Sequence, residues 1–120
     1  MIQVIVGKQG TGKTKTLVGM ANGIVASSKG EIVFITNETR RMLELDHQVR
    51  LIKTYEFGIG GLKEFYAFLC GIIAANYDIE HIYIDGLLEI LNDDIENVKP
   101  FIHSVKKLSN KYNIKFTISM

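Results

Sequence analysis

The octet Gly7-Lys8-Gln9-Gly10-Thr11-Gly12-Lys13-Thr14 constrains this chain more than any other stretch of it. Glycines at its first, fourth and sixth positions permit backbone angles and close approaches that a Cβ forbids, so successive N–H groups can turn inward around an anion. Such a loop keeps its shape only between rigid supports. Ile2-Gln3-Val4-Ile5-Val6 before it is short and β-branched, and reads as a buried strand of the parallel-sheet kind. After it Leu17, Met20, Ala21, Ile24 and Val25 recur at helical spacing from Lys13, with a stop at Lys29-Gly30. The positive end of that helix points back at the loop.

Downstream, strand and helix keep alternating. Ile32 to Ile35 is a second continuous apolar strand, Glu38 to Leu45 a short helical pattern, and Val49 to Thr54 a further strand at an edge. Phe57 to Gly61 is a loop before a helix over Leu62 to Asn76, on which Phe65, Phe68, Leu69 and Ile72 share a face. Ile82-Tyr83-Ile84 forms a strand ending at Asp85-Gly86, and a short helical segment runs from Leu87 to Leu91. Asp93 or Asp94 caps the next helix, whose stripe is Ile95, Val98, Phe101, Ile102, Val105 and Leu108; Pro100 within it predicts a kink or a later start. Ile114 to Ser119 is the last strand. This order predicts right-handed crossovers and an α/β fold of three layers, with a mostly parallel sheet of four to five strands. Residues 1–120 read as a single domain, since 120 residues suit one core and no linker, repeat or low-complexity tract divides them.

In full, the octet satisfies the Walker A pattern G-x-x-x-x-G-K-[ST], which a chain this long meets by chance on the order of one time in a hundred. All of Gly7 to Thr14 is then expected to cradle the phosphates of a nucleoside triphosphate. Lys13 reaches the β- and γ-phosphates and stabilises the transferred group, and the Thr14 hydroxyl binds Mg²⁺. His81-Ile82-Tyr83-Ile84-Asp85 has the form of a Walker B strand, whose terminal carboxylate emerges where ligands of parallel sheets bind. Asp85 is therefore the second expected Mg²⁺ residue, through a water; its ordinary alternative is to cap the following helix. ATP is favoured over GTP, because Asn110-Lys111 continues as Tyr112-Asn113 and no N-K-x-D element occurs.

Many ATPases carry a glutamate directly after that aspartate, and here the place is taken by Gly86. Ile35-Thr36-Asn37-Glu38 resembles the end of the second strand in RecA-like P-loop proteins, where a glutamate polarises the attacking water. By that resemblance Glu38 is the general base, with Glu89 in reserve. The same resemblance implies that the Walker A and Walker B strands are separated by the last strand. Thr117 or Ser119 on that strand is a possible sensor of the γ-phosphate, and Arg40, Arg41 and Arg50, the arginines of the chain, include any arginine finger. Each of these also has an ordinary reading as a strand-end hydroxyl or a surface charge.

The whole chain resembles a group of small bacterial P-loop proteins commonly labelled twitching motility ATPases. The likeness lies in GKQGTGKT and its leading strand, EIVFITNE, EFYAFLCGIIAANYDIE, IYIDGL and KYNIKFTIS. It implies a RecA-like fold with ATP and Mg²⁺ as cofactors, and only Gly7 to Thr14 and Asp85 carry over by residue. ATP binding with hydrolysis is the expected function. The alternatives are a nucleotide-responsive module without fast turnover, signalling through a loop such as Phe57 to Gly61, and a small-molecule kinase.

Composition removes other classes. A net charge of +1 gives no field that draws in nucleic acid or an anionic membrane, so nucleic acid is not indicated. Lys106, Lys107, Lys111 and Lys115 read as a solvated helix face. His47, His81 and His103 lack metal-ligand spacing, and Cys70 is the one cysteine, which suits a reducing compartment. The longest apolar run, Ala67 to Ala75, is too short to span a bilayer and no secretory leader precedes the first strand, so a cytoplasmic protein is expected, with no membrane partner. A homo-oligomer or a protein partner is compatible with all of this.

Overall fold

The structure is a computed structural model that describes residues 1–7 and 12–120. It is an α/β fold built on one sheet of five strands, all parallel: β1 (Ile2–Ile5), β2 (Glu31–Thr36), β3 (Arg50–Lys53), β4 (Ile79–Asp85) and β5 (Lys115–Ser119). The spatial order is β1-β5-β4-β2-β3. The last strand thus separates the first from β4, as the RecA-like resemblance implies. Four α-helices complete it: α1 (Lys13–Ile24), α2 (Leu62–Ala75), α3 (Leu87–Leu91) and α4 (Ile95–Tyr112). No helix among the described residues is long and apolar enough to cross a membrane.

Strand periodicity divides the core in two. Val33 and Ile35 of β2, Ile82 and Ile84 of β4 and Phe116 and Ile118 of β5 face α2, α3 and α4, where Phe65, Leu69, Leu87, Val98, Phe101 and Val105 close the larger cluster. Their neighbours Ile32, Phe34 and Tyr83 face α1 and meet Leu17, Val18 and Ala21. β2 and β4 are covered on both sides, which is why they read as unbroken apolar runs. In β5 the alternation instead leaves Thr117 and Ser119 on the α1 side. With period two, Thr36, Asp85 and Ser119 fall on that same side, each the last residue of its strand.

Register sets these ends level. Thr36 is paired with Asp85, Ile84 with Ile118, and Ile5 with Ser119. The row Thr36, Asp85, Ser119, Ile5 therefore crosses the carboxyl edge of four adjacent strands, beneath the first turn of α1. Asp94 caps α4 by accepting from the Asn97 N–H, and Asn113 closes it in the left-handed region, at φ 55°.

Three expectations need correction. Ile2 to Val6 is not a buried strand: β1 is the sheet's edge, Val4 is 38% exposed and Val6, beyond its end, 67%. A β-branched run reports strand preference and cannot tell an edge from a centre. Glu38 to Leu45 forms no helix, because side chains take the backbone groups a helix would use. Thr36 Oγ1 accepts from the Glu38 N–H (3.0 Å), Glu38 Oε1 from the Arg40 N–H (3.0 Å), and Asn22 captures the Glu44 carbonyl (2.6 Å) and the Asp46 N–H (2.8 Å). Pro100 does not delay α4, which starts at Ile95 and continues past it. The carbonyl the proline leaves without a donor is that of Glu96, which is exposed and can be satisfied by water.

Candidate functional site

A cleft of ≈ 930 Å³ opens at the carboxyl edge of the sheet, between the start of α1 and the irregular segment from Asn37 to Leu45. Its lining includes Gly12, Lys13, Thr14, Thr36, Glu38, Arg40, Asp85, Glu89 and Ser119. Lys8, Gln9, Gly10 and Thr11 lie outside the described residues.

Gly12 precedes α1 with φ +81°, a left-handed conformation that any side chain would strain, so glycine is required there by geometry. The next residue, Lys13, turns back toward the end of β1 and donates from Nζ to the Gly7 carbonyl at 2.7 Å. Thr14 follows on the inner side of the first turn, where its hydroxyl lies 3.0 and 3.2 Å from Asp85 Oδ1 and Oδ2.

Asp85 is the centre of the arrangement. It is only 6% exposed, and its carboxylate also accepts from Thr36 Oγ1 at 2.9 Å and Ser119 Oγ at 3.4 Å. Ser119 in turn accepts from the Gly86 N–H at 2.7 Å, so the turn after β4 is tied to the end of β5. Burial raises the Asp85 carboxyl above its ordinary pKa, and the hydroxyls of Thr36, Thr14 and Ser119 oppose that shift without cancelling it; the nearby charge of Glu89 adds to it. Among the described residues no cation pairs with this carboxylate. A buried anion balanced by neutral hydroxyls alone is a place where a cation is electrostatically favoured.

Glu38 is held differently. Arg40 Nη2 meets Glu38 Oε2 at 2.9 Å while the Arg40 N–H bonds Oε1, and these bonds draw its pKa down to about 2. The Arg40 side chain is 81% exposed, that of Glu38 24%. Glu89 stands across the cleft on α3. At Gly86, φ is +72°, a left-handed conformation that strains any side chain, and an added Cβ would lie 3.0 Å from a Glu89 carboxylate oxygen, which would have to give way.

The remaining expected residues separate. Ser119 reaches the site, but Thr117 faces His81 Nε2 at 2.8 Å beneath α1. Arg40 and Arg41 line the cleft, whereas Arg50 pairs with Glu31 (3.5 Å) at the start of their strands, the opposite edge. The ring of His81 stacks on Tyr83, with centroids 4.2 Å apart, and burial, helped by Lys115, pulls its pKa down to about 4. His47 and His103 are exposed, and Gly58 to Gly61 precede α2 without lining the cleft. Two participants are absent from the sequence reading: Thr36 as a partner of Asp85, and Arg40 as the partner of Glu38. Thr36 left a signal, since EIVFIT, IYID and KFTIS each close an apolar strand with a polar residue. Arg40 left none, because its pairing depends on the segment not being a helix.

No known protein-family model matches the chain, and no curated protein matches it either.

Proposed function

We propose that this chain binds ATP with Mg²⁺ in the cleft at the carboxyl edge of its sheet and hydrolyses it, as a minimal P-loop NTPase of the RecA-like kind. The observation that carries the reading is the bond between Thr14, the residue after Lys13 at the start of α1, and Asp85, the last residue of β4. Two segments remote in sequence, each singled out by its own pattern, supply oxygen donors to one point.

The donor set suits the ion. A hydroxyl and a carboxylate are hard oxygen ligands, and magnesium keeps most of its shell as water and phosphate oxygens, needing one or two protein carboxylates rather than a cage. Thr14 and Asp85 would hold the ion, Asp85 through a water. When bound, the ion would neutralise charge on the phosphate oxygens.

The chain's own groups carry the rest. Lys13, bonded to the Gly7 carbonyl, would leave that acceptor for the β- and γ-phosphates. Glu38 would take a proton from a water molecule as its oxygen bonds to the γ-phosphorus and the bond to the β–γ bridging oxygen breaks, releasing ADP and inorganic phosphate. Gly86 supports this assignment, because it supplies no carboxylate directly beside Asp85. One observation favours the second reading, a nucleotide-responsive module with slow turnover: Glu38 is engaged by Arg40 and is a weak base while it remains so.

Titration calorimetry with Mg²⁺-ATP tests the reading. Lys13→Ala should weaken binding by about tenfold or more, as a charge-assisted bond to phosphate is lost. Equal affinity in a folded Lys13→Ala protein would refute the phosphate cradle.

A further inference from the structure

We propose that Arg40 is a clasp on Glu38 that the terminal phosphate of the bound nucleotide opens, so that the carboxylate becomes free to hold water only when a triphosphate is present. The inference rests on the nucleotide reading above and adds to it a residue that discriminates triphosphate from diphosphate.

Three observations support it. First, Arg40 holds both oxygens of Glu38, one through its guanidinium and the other through its own N–H. A carboxylate so held, with its pKa near 2, accepts a proton poorly. Second, the anchorage is one-sided. Glu38 is fixed by its N–H to Thr36 Oγ1, the same hydroxyl that donates to Asp85, and the Arg40 carbonyl accepts from Lys53 Nζ at 3.2 Å. The backbone on both sides is therefore tied down, while the guanidinium is mostly in solvent and can rotate. Third, both side chains line the cleft that contains Lys13, Thr14 and Asp85.

The exchange follows from relative strengths. Exposed ion pairs are weak, because water screens them and ordering two long side chains costs entropy. A γ-phosphate offers a guanidinium more charge and a bidentate acceptor, which arginine matches with its planar fork. Arg40 would thus leave a carboxylate for a phosphate at little cost. Its departure removes the hydrogen bond that most depresses Glu38, and the positive charge moves to where negative charge is spread in phosphoryl transfer. ADP lacks that phosphate and leaves the clasp shut.

The test uses the full chain and two nucleotides. Arg40, Arg41 and Arg50 are its arginines, so ¹⁵N-arginine labelling gives few enough Nε–Hε signals to assign by substitution. Saturation with the β,γ-imido analogue of ATP and Mg²⁺ should shift the Arg40 signal away from its position in the free protein, and Mg²⁺-ADP should leave it there. By calorimetry, Arg40→Gln should weaken the triphosphate analogue about tenfold while changing ADP less than twofold, with Arg40→Lys in between. An Arg40 signal that responds equally to both nucleotides, or to neither although both bind, overturns the clasp, and so does an unchanged triphosphate-to-diphosphate ratio in Arg40→Gln. If wild type binds neither nucleotide in the calorimeter, the nucleotide reading itself fails and the clasp falls with it.

Discussion

Replacing Asp85 by asparagine should make the ligand-free protein more stable and the ligand-bound protein less so. The carboxylate is buried with hydroxyl donors and no described cation, and its raised pKa means that desolvation outweighs those hydrogen bonds. A carboxyl whose folded pKa lies above its unfolded one adds stability below the unfolded value and loses it as pH rises. Ionised Asp85 therefore opposes folding at neutral pH. Asparagine keeps the shape, its amide oxygen can accept from the same hydroxyls, and those hydroxyls can rotate to accept from its NH₂. The gain should be on the order of 1 kcal/mol. With unfolding entropy of about 2.1 cal/mol/K per residue over 120 residues, that is a rise in Tm of about 4 °C, shrinking toward pH 3 as the wild-type carboxyl protonates. The liganded state reverses the sign. Mg²⁺-ATP at a hundred times its Kd should stabilise wild type by about 2.7 kcal/mol, or about 11 °C. If Asp85→Asn weakens binding about a hundredfold, the same concentration gives about 0.4 kcal/mol, or roughly 2 °C. Calorimetric melting with and without Mg²⁺-ATP measures both. A free variant that melts several degrees lower would refute the burial argument, and a full ligand-induced shift in Asp85→Asn would remove Asp85 from the metal site.

Other outcomes are expected on the same grounds. Glu38→Gln should bind Mg²⁺-ATP nearly as wild type does while hydrolysis, followed by phosphate release, falls about a hundredfold, the usual scale for losing a general base; equal rates would pass the role to Glu89. His81, neutral in the fold down to about pH 4, lets the unfolded chain bind a proton first, so its contribution is fully present above its ordinary value of 6.5 and is lost as pH falls toward 4. Urea unfolding at pH 7 and 4.5 should show that His81→Gln removes about 1–2 kcal/mol of that acid sensitivity, a range discounted for partial exposure. Leu69→Ala, at a fully buried position of the larger cluster, should cost about 3 kcal/mol in the same assay; a cost below 1 kcal/mol would mean that α2 is not packed on the sheet as described.

How much of this is legible in the sequence varies with the physics behind each signal. Helices α1, α2 and α4 can be read nearly to their ends, because amphipathic spacing is written locally. β4 is longer than the strand read from His81 to Asp85: it begins at Ile79, and Glu80 is satisfied by Ser28 and the N–H groups of Lys29 and Gly30. Those partners are some fifty residues away, and no local pattern records them. The false helix after β2 has the same origin, since Asn22, on α1, holds the segment's backbone. In the site, Thr14 and Asp85 can be named because each sits at a fixed offset from a turn. The Arg40–Glu38 pair cannot, since i and i+2 residues do not face one another in the helix expected there, and the pair forms only because the segment is irregular.

The position of β1 has a consequence for how the molecule comes into being. Its hydrogen-bonded neighbour in the sheet is β5 and no other strand, with Ile2 beside Phe116 and Ile5 beside Ser119. Of the five strands, the one translated first is thus joined to the sheet by the one translated last. β2, β3 and β4 can pair as soon as they are made, but β1 has nothing to pair with until Lys115–Ser119 emerges, and the closing of so long a loop is slow. Until β5 is made, Thr14 follows a strand that has not joined the sheet, while Asp85 stands at the end of a sheet that lacks Ser119. On the proposed reading, nascent chains still short of β5 should therefore be unable to retain nucleotide, the cleft being completed by β5 although the octet is translated well before it.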